Sequence, residues 1–316
     1  MQVRLAVIGT GHMGRHHAVK VAELRDDGGA AFAGIADIDA DRRRQVAAET
    51  GARAAASGRE LFGAADAAIV AVPTIAHFEV VRAALEAGLD VLVEKPIAAS
   101  AWQAEELLAL ARRGGCILQV GSQEWFNPAL RAIRAKIQRP RFVEGHRVGP
   151  FSERGADVDV VRDLMIHDLD ILLKLLGEEP QRIAAVGVPV VTDKVDIANA
   201  RIRLASGCVA NLTASRISAE PVRRIRLFQS RTYLSCDTGA REVDRYRLAL
   251  DADRKPQIRH DRLPVDDGEP LRLELEAFAE AVHTRATPNI DGRQARRAIE
   301  LAHRVRESIE ASPFAP

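Results

Sequence analysis

Residues Val3-Arg4-Leu5-Ala6-Val7-Ile8-Gly9-Thr10-Gly11-His12-Met13-Gly14 leave the chain few ways to fold. An apolar β-type run enters Gly9-x-Gly11-x-x-Gly14, and from Met13 toward Leu24 the apolar spacing turns helical. Strand, glycine turn and helix in that order suit a bound pyrophosphate. The first glycine permits the tight turn, the second lets backbone N–H groups approach the phosphates, and the third lets helix and strand pack closely. The helix N-terminus adds partial positive charge for the anion. A glycine turn alone is weak evidence. It gains force from Ala31-Phe32-Ala33-Gly34-Ile35-Ala36-Asp37, a second β-type run ending in a carboxylate where an adenosine ribose is expected.

The alternation continues to residue 122. Expected strands are Val3–Ile8, Ala31–Asp37, Ala67–Val72, Asp90–Glu94 and Cys116–Gly121, and expected helices are Met13–Leu24, Asp41–Thr50, Ile75–Ala87 and Ser100–Arg113. These strands are apolar without alternation, as when helices cover both faces of a parallel sheet. Residues 1–122 are therefore read as an α/β, doubly wound (Rossmann) dinucleotide-binding domain. Residues 123–316 form a second, α+β domain with a different pattern. It opens with a helix at Pro128–Gln138, a strand at Arg141–Val148 and a long helix at Val158–Leu176. Strands at Ile197–Leu204, Val209–Ile217, Ile225–Phe228, Thr232–Ser235, Tyr246–Leu250 and Ile258–Leu263 then follow without helices between them. Their period-two alternation predicts an open, largely antiparallel sheet with one polar face, available to solvent or another subunit. Helices at Pro270–Thr284 and Gly292–Ser312 close the chain.

Composition narrows the partners. Net charge is +1 over 316 residues, so nothing pulls the chain as a whole toward nucleic acid or a membrane surface. No apolar run reaches the roughly 20 residues a spanning helix needs. A first strand at Val3 leaves no room for a signal peptide, and Cys116, Cys208 and Cys236 are widely spaced, as free thiols in a reducing compartment would be. The cytoplasm is the expected location.

Two groups of residues carry candidate chemistry. Val93-Glu94-Lys95-Pro96 ends the fourth strand, at the carboxyl edge where open parallel sheets bind ligands. Lys95 there can hydrogen-bond a substrate oxygen, or it is a surface lysine; Glu94 orients it or is simply a buried polar group. The second group is Asp163-Leu164-Met165-Ile166-His167-Asp168-Leu169-Asp170 on the long helix. At helical spacing, Asp163, His167 and Asp170 share a stripe, and an aspartate one turn before a histidine fixes its tautomer and supports the imidazolium. That arrangement builds a general base; it is also the pattern of an ordinary helix ion pair. No second histidine or cysteine is placed to complete a metal site. Val72-Pro73-Thr74 lies near the expected cofactor, with His77 either beside it or bonding at a helix start. Gln119 to Gln123 ends the last parallel strand. His12, His16 and His17 suit packing and capping better than ligation, and Trp125 and Phe126 suit the core or domain join.

Taken together these residues resemble the glucose-fructose oxidoreductase and inositol dehydrogenase (Gfo/Idh/MocA) family over nearly the whole length. The resemblance rests on Gly9 to Ala18, Asp37-Ile38-Asp39, Val72-Pro73-Thr74 with His77, Glu94-Lys95-Pro96, Phe126-Asn127-Pro128 and Asp163 to Asp168. It implies NAD as cofactor, hydride transfer at a sugar or polyol carbon, and a homodimer or homotetramer formed through the C-terminal sheet. It implies Lys95, Asp163 and His167 as the catalytic group. The cofactor set it implies is Gly9, Thr10, Gly11, His12, Met13, Gly14, Asp37, Val72, Pro73, Thr74, His77, Glu94, Lys95 and Gln123. The segment from Asp157 to Asp170 lacks the glycines that simple-sugar and inositol members commonly carry ahead of the aspartate. It is most similar to members acting on nucleotide sugars, the UDP-N-acetylglucosamine 3-dehydrogenases in particular, although Trp125 replaces their usual arginine. Arg147, Arg154, Arg216 and Arg223 are candidates to pair a substrate pyrophosphate. Asp37, with no arginine directly after it, favours NAD over NADP. Other readings are a free-sugar or inositol dehydrogenase, a non-catalytic nicotinamide-binding sensor, and a reductase of imines or double bonds that would not use His167 as base.

Overall fold

The computed structural model describes residues 2–152, 158–251, 254–288 and 292–312. The chain divides into two compact units, Met1–Phe126 with Glu269–Arg296, and Asn127–Gly268 with Arg297–Pro316.

In the first unit the described strands form a parallel six-stranded sheet. Its order is Ala54–Ala55, Ala31–Ala36, Arg4–Ile8, Ala67–Val70, Asp90–Val93, Leu118–Val120. The expected helices appear as His12–Asp26, Ala40–Thr50, Thr74–Glu86 and Ala101–Gly114. Successive strand residues serve opposite faces. Leu5, Val7, Ile69 and Leu92 pack with Val21 and Leu24, while Ala6, Ile8, Val70, Val91 and Val93 pack with Phe78, Val81, Leu85 and Leu107. Two covered faces explain strands without a polar side. The short pieces Ala54–Ala55 and Arg59–Phe62 are additions to the expected elements; two and four residues carry no readable period.

The helix at Pro270–Thr284 forms where the sequence puts it, but it belongs to the first unit, not to the second domain of a 122/123 division. Leu275, Phe278 and Val282 bury themselves in the cluster of Leu5, Val7 and Ile69. That cluster needs cover beside the His12–Asp26 helix, and a late segment of chain returns to supply it. Glu274 Oε1 accepts the Ser122 N–H at 2.6 Å, so a buried carboxylate ties this helix to the end of the last parallel strand.

The second unit holds an eight-stranded sheet in the order Pro256–Arg262, Glu242–Leu250, Thr232–Asp237, Val222–Gln229, Phe142–Val148, Val209–Ser215, Ile197–Leu204, Pro180–Val188. Phe142–Val148 and Val209–Ser215 run parallel, and every other described pair is antiparallel. The alternation holds as read: Ala198, Ala200, Ile202 and Leu204 are buried, whereas Asn199, Arg201 and Arg203 are exposed. The buried face packs on Leu169, Leu172 and Leu173, and on Leu301, Val305 and Ile309 of the Gly292–Glu310 helix. The edge strand Pro180–Val188 lacks clean alternation and is a further addition to the expected strands. On the open face a row of rings crosses the sheet: Phe142, Phe228, Tyr233, Tyr246 and His260, with successive centroids 5.5, 4.8, 5.1 and 4.6 Å apart.

Candidate active site

The glycine turn is fixed by contact. A Cβ on Gly14 would stand 1.8 Å from the Gly9 carbonyl oxygen, so helix and turn approach each other too closely for any side chain. Gly11 is the opposite case. Only Arg42 Nη1, at 3.7 Å, lies within 4 Å of its Cβ position, which leaves the backbone open to a ligand's phosphates. Gly9 is buried, its N–H donating to the Ala36 carbonyl at 2.8 Å. His12 starts the helix in an exposed position, with Met13 beside it half-buried.

Asp37 ends the second strand, nearly buried. Its Oδ2 accepts the Thr10 N–H at 2.6 Å and the Thr10 hydroxyl at 2.8 Å, and its Oδ1 accepts the Asp39 N–H at 2.8 Å. Burial pushes this carboxyl up, but the Thr10 and Asp39 bonds and the Arg42 charge outweigh it and hold the group below the usual carboxylate range. Asp37 is thus held as a carboxylate beside the glycine turn.

At the fourth strand's end, Lys95 is exposed and leads into a cis bond to Pro96. Glu94 is set back beneath it. Fully buried His17 stands with Nε2 at 2.7 Å from Glu94 Oε1. Burial raises the Glu94 carboxyl, and the His17 bond and nearby Lys95 charge more than compensate, leaving it below its ordinary range. Sequence pattern assigns His17 to packing or capping; the structure gives it a specific carboxylate partner 77 positions away. Position alone carries one hint, since His17 lies one turn past Gly14 on the helix face that meets the sheet.

The Val72-Pro73-Thr74 segment follows the third long strand, with Pro73 exposed and Thr74 half-buried. His77 is buried beneath it, Nδ1 at 2.7 Å from the Pro96 carbonyl and Nε2 at 2.8 Å from the Val72 carbonyl. Both ring nitrogens face backbone carbonyl oxygens, so His77 links the Val72 and Pro96 segments near the start of its helix. Gln123 is half-buried in a short 3-10 turn, Gln123–Phe126, where Trp125 and Phe126 pack against the first unit's core.

In the second unit the expected long helix is not uniform. A widened π-type turn, Val161–Met165, precedes the α-helix Ile166–Leu176. Asp163 lies in the π turn and His167 in the first α turn, both half-buried. The even stripe expected from 100° per residue is therefore replaced by a change of pitch between the two. Single π turns inside helices recur at functional sites. Asp159 caps the turn, its Oδ1 accepting the N–H groups of Val161 and Arg162 at 3.1 Å each, while Arg306 Nε stands 3.0 Å from its Oδ2. Asp168 is buried and paired with Arg147, whose Nε and Nη2 reach Oδ1 at 3.1 and 2.9 Å.

That pairing settles part of the arginine question. Arg147 is 4% exposed and spent on Asp168, and Arg216, equally buried, donates to the Val158 carbonyl at 2.5 Å. Both are tied to the fold from inside the second unit. Arg223 is exposed, and Arg154 lies outside the described residues. Among the described residues no group of His, Cys, Asp and Glu gathers as a metal site, and no helix is long and apolar enough to cross a membrane.

Comparison with known proteins agrees with this geometry. The family model described as an oxidoreductase family, NAD-binding Rossmann fold, matches residues 3–122, and the Gfo/Idh/MocA C-terminal-domain model matches residues 129–239. The chain is 38% identical over 313 residues to UDP-N-acetylglucosamine 3-dehydrogenase of Acidithiobacillus ferrooxidans, covering 98% of each. It is 34% identical over 230 residues to myo-inositol dehydrogenase Hyg17 of Streptomyces leeuwenhoekii, covering 67% of this chain and 69% of that one. A solved structure of the Acidithiobacillus enzyme superposes with a TM-score of 0.90 over 98% of each chain. Two family models matched in sequence, with 38% identity over 98% of the chain to the Acidithiobacillus enzyme, place this chain in the Gfo/Idh/MocA family of NAD-dependent oxidoreductases.

Proposed function

We propose that this enzyme oxidises a secondary ring hydroxyl of a UDP-linked amino sugar of the UDP-N-acetylglucosamine type. The observation that carries this reading is full-length similarity, 38% identity over 98% of the chain, to an enzyme named for that reaction. Bound NAD supplies the hydride acceptor. His167, steadied by Asp163, would take the hydroxyl proton, and the Lys95 ammonium would supply a hydrogen bond to a substrate oxygen as negative charge develops. Gly9 to Gly14 would receive the pyrophosphate of NAD, and Asp37 would hold its adenosine ribose. Val72-Pro73-Thr74, Glu94 and Gln123 complete the cofactor's surroundings.

A second reading, a dehydrogenase of free sugars or inositols, is favoured by the 34% identity to Hyg17 over two thirds of the chain. The test is to incubate protein and NAD with UDP-sugars, free hexoses and inositols while following reduced nicotinamide. Turnover confined to nucleotide sugars supports the first reading; turnover with inositol alone overturns it. Silence across the whole panel, with NAD bound, points to the sensor instead. The enzyme works in the cytoplasm as a homodimer or homotetramer, paired through the open sheet face that carries the Phe142-to-His260 ring row. Light scattering tests the pairing, and a monomeric mass contradicts it.

A further inference from the structure

The proposed chemistry makes no use of His17, although it is a fully buried titratable group in the first unit. Its Nε2 stands 2.7 Å from Glu94 Oε1, and the Glu94 side chain is itself only 16% exposed. The other ring nitrogen, Nδ1, is buried and meets no polar partner among the described residues. An N–H at Nδ1 would be a buried donor left unpaired, so the ring carries its hydrogen on Nε2 and donates it to the carboxylate. Glu94 is enclosed on its other sides as well. It accepts the N–H of Lys95, and it rests against Gly121, where an added Cβ would stand 3.2 Å from Oε2. From the Pro270–Thr284 helix, the charged group at this strand end is Glu274, which accepts the Ser122 N–H. His17 lies one turn past Gly14 on the His12–Asp26 helix. Its bond to Glu94 thus ties the glycine turn to the strand end that presents Lys95, across 77 positions of sequence.

We propose that His17 is a positioning residue for Lys95: its bond fixes the Glu94 carboxylate, which sets the Lys95 backbone and steadies the ammonium relative to the glycine turn. The proposal rests on the reading that Lys95 hydrogen-bonds the reacting oxygen. Being fully buried, His17 acts through Glu94 and not on the substrate itself. Glu94 attracts the Lys95 charge, so a carboxylate without its His17 donor would pull that charge along with it. Misplacing a reacting group by about 1 Å costs up to about a hundredfold in rate, and loss of an indirect tie should cost about tenfold.

The experiment measures kcat and KM for NAD with UDP-N-acetylglucosamine in His17→Phe, His17→Gln, Lys95→Ala and the His17→Phe, Lys95→Ala double variant. His17→Phe should lower kcat about tenfold with Lys95 present and less than about twofold in the Lys95→Ala background. A residue that acts through Lys95 has nothing to place once that side chain is gone. His17→Gln keeps an N–H at the Nε2 position and should restore most of the loss. Hydrogen exchange at the Lys95 amide gives a readout that needs no sugar: it should quicken about tenfold in His17→Phe and stay slow in His17→Gln. Should His17→Phe not fold, Glu94→Gln keeps the shape, removes the charge and carries the same comparison. Equal losses of kcat in both backgrounds overturn the proposal, since they mark a residue that only supports the helix. Unchanged kcat or unchanged exchange in His17→Phe overturns it as well. Lys95→Ala is read separately: wild-type turnover there refutes the catalytic reading of Lys95, whatever His17 does.

Discussion

The two units build their sites from different materials. In the first, the decisive features are backbone and the absence of atoms: Gly14 pressed on the Gly9 carbonyl, Gly11 open to a ligand, and backbone N–H groups on Asp37. In the second, the helix bearing Asp163 and His167 is held by buried charge, with Asp168 on Arg147, Asp159 on Arg306 and Asp196 beside Arg216. A pyrophosphate site needs close approach, which any added carbon spoils. A proton-transfer site needs one imidazole held at one orientation, which a rigid polar scaffold provides. The pyrophosphate turn should therefore fail by obstruction, and the groups assigned to proton transfer by loss of a group or of a charge.

The largest effect tests the chemical half. His167→Ala should lower kcat by about a thousandfold while NAD affinity, measured by fluorescence titration, stays near the wild-type value. Lys95→Ala should cost somewhat less, about a hundredfold, because water can replace part of an ammonium hydrogen bond. Loss of NAD binding in the His167 variant would break the division of labour between units. Wild-type turnover in both variants would remove the catalytic assignment altogether.

A middle-sized effect tests the steric half. Gly14→Ala places a carbon where 1.8 Å separates it from a carbonyl oxygen, so the turn must move. Overpacking of this kind costs about 1–3 kcal/mol and here also displaces the N–H groups meant for the pyrophosphate. Urea denaturation should show the stability loss, and the KM for NAD should rise roughly tenfold with kcat less affected. A Gly14→Ala enzyme with unaltered KM would mean that the phosphates bind elsewhere.

These contrasts also explain what the sequence disclosed. Apart from Ala54–Ala55, the parallel sheet was legible because its strands are apolar runs closed by turn residues, and the glycine fingerprint binds neighbours in sequence. The Pro270–Thr284 helix was legible as a helix but not as a cover for the first sheet, since the partners of Phe278 are Leu5 and Ile69, far back in the chain. His17 with Glu94, and Arg42 with Asp37, were invisible for a related reason: a hydrogen bond or charge pair across the fold leaves no periodic trace. The π turn at Val161–Met165 escaped because five residues of widened helix show nearly the same apolar spacing as a regular one. Lys95, Asp163 and His167 are proposed from residue type, order and family resemblance, which name groups without giving their geometry.

The smallest effect returns to the charged scaffold of the second unit. Asp196 is fully buried and accepts the N–H groups of Val190, Val191 and Thr192 at 2.7, 2.7 and 2.9 Å, with the Thr192 hydroxyl at 2.8 Å on its other oxygen. Burial alone would raise its pKa; these bonds lower it to about 2. A carboxyl depressed in the folded state stabilises the fold above its unfolded pKa of about 3.9, and that stability fades as pH falls from there toward the folded value. The shift corresponds to about 2 kcal/mol at neutral pH. Asp196→Asn removes the charge at every pH, so the variant should be less stable by about that amount at neutral pH, with the gap closing in acid. Because Asp196 and the amides it holds lie in the second unit, the closing gap should appear in probes of that unit, such as exchange protection of the Val190, Val191 and Thr192 amides. A gap that stays constant from neutral pH into strong acid would show that Asp196 acts by shape and hydrogen-bond count, and that the second unit's scaffold is steric after all.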